Sequence, residues 1–108
     1  MEKFFQYSKV YSLKDSIEYS DGAIVSKIIT KESVGNVSLF AFDKEQSLSE
    51  HTAPFDAIVY ILEGTGIIGI NKVSYEVKAG EMIIMPANVP HYVFAKERFK
   101  MLLVMIKK

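Results

Sequence analysis

Hydrophobic and polar residues alternate with a period of two over most of this chain, and no stretch sustains the spacing of an amphipathic helix. The β-branched run A-I-V-S-K-I-I-T predicts a strand over residues 23–30, Val34-Gly35-Asn36 a turn, and V-S-L-F-A-F-D a strand over 37–43. Residues 47–52 read as a short strand and Ala53-Pro54-Phe55 as a corner. Residues 56–63 read as a full strand with Ala57, Val59 and Ile61 on one face and Ile58, Tyr60 and Leu62 on the other. Gly64-Thr65-Gly66 ends it. Residues 67–70 and 73–77 then form a hairpin about Asn71-Lys72, because Asn tolerates the left-handed backbone of tight turns. After Lys78-Ala79-Gly80 a strand over 81–85 enters the proline-bounded loop P-A-N-V-P, and strands over 91–96 and 99–107 follow. Many short strands separated by turn signals predict an all-β fold, a sandwich or a small jelly-roll barrel.

Two of these strands, 37–43 and 99–107, are apolar on both faces. Such a sheet must be covered twice, by the barrel interior and by a second layer outside it. Residues 1–21 mix Phe4, Phe5, Tyr7, Val10, Tyr11 and Leu13 with charges and hold no period. They are expected to form an N-terminal arm with at most a short strand, ahead of a single barrel domain at 22–108. The outer layer comes either from this arm or from a second copy, and the doubled apolar pattern favours a face-to-face homodimer.

Composition narrows the chemistry. A chain of 108 residues supports one core. Thirteen basic side chains balance thirteen acidic ones, which argues against a nucleic-acid partner. With no cysteine there is no disulfide, thiolate ligand or thiol nucleophile, so any metal is expected to be held by His, carboxylate and water. Met82, Met85, Met101 and Met105 read as core filler. The aliphatic run 101–106 is far short of the roughly 20 residues of a spanning helix. The N-terminus has no long apolar segment, so the expected setting is cytoplasmic, with no membrane partner.

Both histidines lie at the ends of the best-punctuated stretch, His51 in S-E-H-T-A-P-F-D-A and His91 closing G-E-M-I-I-M-P-A-N-V-P-H. The second segment resembles the second motif of the cupins, in which Gly, five residues, Pro, one residue, Gly and two residues precede a His. Here Gly80, Pro86 and His91 match, with Asn88 at the second Gly, a natural stand-in where the loop needs a positive φ. Tyr60-Ile61-Leu62-Glu63-Gly64 is similar to the end of the first cupin motif, and the resemblance spans roughly residues 37–106. It implies a cupin-type double-stranded β-helix. It also implies a three-histidine, one-carboxylate metal site supplied by H-x-H-x-x-x-E and the second-motif histidine. Laid on this chain, those positions are His51, Ala53, Ala57 and His91, and two of the four carry no donor.

These residues favour a protein that binds a small molecule in its barrel, metal-free or weakly metal-binding, in a sensor or accessory role. The expected pocket consists of His51, Ala53, Ala57, Val59, Ile61, Met82, His91 and Val93, with apolar walls and a few orienting polar groups. His51 and His91 are the candidate ligands of an incomplete site for a weakly held divalent transition metal, and no cofactor is required. One alternative is a metal-dependent isomerase or dioxygenase in which His51 and His91 recruit Asp56 through a bulge after Pro54. Another is a structural dimer with a degenerate pocket. The sequence selects no substrate.

Overall fold

Over residues 4–108, which the computed structural model describes, the alternating pattern becomes nine strands in two antiparallel sheets. One sheet has the order β1 (Ile24–Glu32), β2 (Gly35–Phe42), β9 (Phe99–Lys107), β4 (Phe55–Glu63), β7 (Met82–Met85). The other has the order β3 (Ser47–His51), β8 (His91–Phe94), β5 (Thr65–Ile70), β6 (Val73–Lys78). Neighbours far apart in sequence pair across both sheets, which is the double-stranded β-helix expected from the sequence. Strand ends fall within a residue or two of those read from the alternation.

The main departure in the first hairpin is the turn. It sits at Ser33-Val34, and Gly35 already pairs with Glu32 and Ile106 as the first residue of β2. A Cβ on Gly35 would overlap the Met105 carbonyl, so this glycine permits close approach of β2 to β9 and does not make the turn. Asn71 and Lys72 have φ of 50° and 70°, the two-residue left-handed turn expected between β5 and β6.

Side chains between the sheets form the core. Phe42, Ala57, Val59, Ile61, Met85, Phe99, Met101 and Leu103 come from the first sheet, and Ile68, Val77 and Val93 from the second. Phe42 and Phe99 stack with ring centroids 4.7 Å apart. On one side this packing opens into a concavity lined in part by the same side chains, Ala57, Met85, Val93, Met101 and Leu103.

A smaller cluster lies outside the barrel. Fully buried Ile17 packs there with Leu39 and Ala41, joined by Phe5, Leu13, Tyr19, Val25 and Leu102. The segment ahead of β1 contains one 3-10 turn, Leu13–Asp15, and no strand among its described residues; residues 1–3 of the expected arm lie outside them. Polar contacts help to hold the segment down. Lys100 Nζ donates to the Lys14 carbonyl at 2.6 Å, Lys27 Nζ to the Ser16 carbonyl at 2.9 Å, and the Tyr19 hydroxyl to Glu63 Oε2 at 2.6 Å. Burial and the Glu63 carboxylate together push the Tyr19 phenol up.

Candidate functional site

His51 ends β3 and His91 begins β8, and the antiparallel register makes them direct partners. Their rings meet edge to face with centroids 4.3 Å apart. A β-bulge creates the arrangement: Leu48 pairs Val93 and His51 pairs His91, so three residues of β3 advance against two of β8. Leu48 and His51, which simple alternation would put on opposite faces, therefore both reach the concavity.

The loop before His91 is pinned at three points. Ala87 N–H donates to Asp56 Oδ1 at 2.9 Å, Asn88 N–H to the Ala53 carbonyl at 2.8 Å, and Asn71 N–H to the Pro90 carbonyl at 2.9 Å. Asn88 has φ of 63°, the left-handed backbone that its position in the motif demands. Asp56 is therefore occupied in holding this loop and Lys108, whose Nζ lies 3.2 Å away, and these contacts depress its carboxyl. Asp56 is not recruited toward the histidines. The bulge sits in β3 and not after Pro54, and Asp56 does not line the concavity.

In each ring Nδ1 is tied to the carbonyl two residues back, His51 to Ser49 at 2.8 Å and His91 to Val89 at 3.2 Å. A neutral imidazole bonded to a carbonyl through Nδ1 carries its proton there, which leaves the Nε2 lone pair available. Neither Nε2 has a hydrogen-bond partner among the described residues. Burial lowers the His91 pKa below its ordinary 6.5, the Val89 carbonyl opposes this, and the nearby His51 adds to the depression. In its neutral form, with Nδ1 as the donor, each ring offers Nε2 as an acceptor.

With them a concavity of about 70 Å3 is lined by Leu48, Ala53, Phe55, Ala57, Val93, Leu103 and the three methionines Met85, Met101 and Met105. Of the residues expected there, His51, Ala53, Ala57, His91 and Val93 are brought together. Val59 and Ile61 face the same interior but lie in the packed core and do not line the concavity. Met82 pairs with Tyr60 on the opposite face and is 48% exposed, so it is neither core filler nor pocket wall. Met85, three residues on, takes the inward place. Leu48, Phe55, Met85, Met101, Leu103 and Met105 were not assigned to the pocket from sequence. The shared parity of Met101, Leu103 and Met105 on β9 is the signal that points to three of them.

Comparison with known proteins fits this geometry. A cupin domain model matches residues 38–107, which is more than half of the chain. The chain belongs to the cupin family. A conserved protein of unknown function from Streptococcus pyogenes superposes with a TM-score of 0.92 at 33% identity, covering 100% of this chain and 96% of its own. A cupin superfamily protein from Desulfitobacterium hafniense shares the fold with a TM-score of 0.91 at 24% identity, covering 98% and 97%. A cupin 2 conserved barrel domain protein from Leptotrichia buccalis is 39% identical over 90% of this chain with a TM-score of 0.87, and this chain spans 47% of its length. No curated protein matches.

The cupin metal set, three histidines and one carboxylate, does not fit these residues. Ala53 and Ala57 line the concavity beside His51 and His91, at the very positions where donors would stand. Among the described residues no group of three or more His, Cys, Asp or Glu converges. In place of the carboxylate the register sets two thioethers: buried Ala57 is the direct partner of Met85 on β7 and of Met105 on β9.

Proposed function

We propose that this cupin binds a small, uncharged molecule in the concavity under His51 and His91, as a cytoplasmic sensor or accessory protein. The observation that carries the reading is the paired imidazoles, each with Nδ1 held by a backbone carbonyl, lining a concavity whose other walls are apolar. That combination is how a binding site fixes one donor group and encloses an apolar body. The volume of about 70 Å3 is under half of the ~150 Å3 cavity that admits benzene, so the ligand has few heavy atoms or extends out of the mouth.

The same proposal includes a homodimer. Tyr60, Met82, Ile84 and Ile106 are each a third to a half exposed on the outer face of the first sheet. Ile58 joins Ile84 to Val104, and Tyr60 joins Met82 to Leu102 in direct register, so the patch is continuous. The N-terminal segment packs on the Leu39 and Ala41 end of this face, which supports a second copy as cover for the rest.

Screening small neutral alcohols, amides and ketones by protein NMR tests the binding claim. Ligands found on the parent should bind at least ~10-fold more weakly to Ala53→Leu, which adds bulk to the lining, and to His91→Ala, which removes one of the two imidazoles. Binding unchanged in both variants would place the ligand elsewhere.

A further inference from the structure

We propose that the His51, His91 and methionine-lined concavity is a site for a cuprous ion, Cu(I). The proposal rests on the concavity being an open binding site, as argued above, and goes beyond it in naming a metal softer than the divalent ions that a three-histidine, one-carboxylate set takes.

The donor class changes at fixed positions. The carboxylate position of the family motif is Ala57 here, so the hard oxygen donor is gone. The residues directly across from Ala57 on both neighbouring strands are Met85 and Met105, and both line the concavity, as does Met101 four residues along β9 on the same face. Imidazole and thioether together form a soft, uncharged donor set, which selects Cu(I) over Zn(II) and the harder divalent ions. Both rings line the concavity with their centroids 4.3 Å apart, and an ion held by the pair would take about 2.0 Å to each Nε2. Their Nδ1 atoms are already held by backbone carbonyls, the outer support that metal-binding histidines use. A neutral set also leaves only one positive charge in an apolar concavity, which a monovalent ion imposes and a divalent one doubles.

The alternative, that these methionines are packing alone, makes a different prediction for a volume-conserving change. Metal-free protein is titrated without oxygen, with Cu(I) supplied from a bicinchoninate complex, and separately with Zn(II). One Cu(I) per chain should bind, at least ~100-fold more tightly than Zn(II). Exchanging Met85→Leu together with Met105→Leu conserves volume and should weaken Cu(I) about tenfold or more while leaving Zn(II) unchanged. His51→Ala and His91→Ala should each abolish the 1:1 binding. X-ray absorption of the loaded parent should show a sulfur scatterer that the leucine variant lacks. Zn(II) binding as tightly as Cu(I), undiminished Cu(I) affinity in the folded leucine variant, or an all-nitrogen spectrum would each overturn the proposal. If Cu(I) does not bind but neutral fragments do, the copper site falls and the small-molecule pocket stands. If neither binds, both fall. Cu(I) binding without any fragment binding sustains the copper site alone.

Discussion

His91 is the residue whose environment has the clearest thermodynamic consequence. Burial holds its folded pKa below 6.5, helped by the facing His51, while the unfolded chain titrates at the ordinary value. Between those two values the unfolded state binds more protons. His91 therefore contributes stability that is complete above about pH 6.5 and is lost as pH falls toward the folded value, below which the loss levels off. Urea unfolding of the metal-free protein at about pH 7.5 and about pH 5 should show lower stability at the acidic end, and His91→Gln should flatten that slope. Greater stability at the acidic end in the parent, or the same slope in the variant, would show that this ring is not buried beside a second imidazole. The ligand gaps at Ala53 and Ala57 and the meeting of His51 with His91 were legible in the sequence, because motif spacing fixes those four positions. Met82 was not. The strand M-I-I-M is apolar at every place, so alternation carries no information about which face is inward, and only the pairing with Tyr60 settles it.

At the scale of elements, the loop 86–90 is what aims His91, and its left-handed residue is the weak point. Asn88 holds φ of 63° while its N–H bonds the Ala53 carbonyl. A β-branched residue there should cost about 1–2 kcal/mol and Gly next to nothing. Asn88→Val and Asn88→Gly compared by denaturant unfolding should separate by that amount, and equal stabilities would mean the loop relaxes to another conformation. Strand positions were readable because Gly64, Asn71, Gly80 and Pro86 punctuate them, and Asn88 was identified from the motif itself. The bulge between Leu48 and His51 was not readable, because S-L-S-E-H contains no glycine or other residue that marks an irregular step. That single inserted residue decides that Leu48 is a pocket wall, and with it the lining differs from any list drawn by counting alternate positions.

For the whole molecule, the two apolar faces of β2 and β9 predicted a second layer, and the fold supplies it partly from within the chain. Ile17 and its neighbours cover the Leu39 and Ala41 end, while Tyr60, Met82, Ile84 and Ile106 remain open. Light scattering should give a dimer mass at micromolar concentration, and Ile84→Lys should shift it to monomer without loss of fold; a monomeric parent would remove the second copy from the account. The central claim, that His51 and His91 preside over a ligand site walled by methionines, has built-in reporters in its methionine methyl groups. Met85, Met101 and Met105 line the concavity, whereas Met82 lies on the opposite face as an internal control. With methyl-labelled methionine and a saturating bound ligand, Cu(I) or a neutral fragment, the NMR signals of Met85, Met101 and Met105 should move together with the ring signals of both histidines, and Met82 should stay in place. Movement of Met82 alone, or histidine shifts with silent inward methionines, would contradict it.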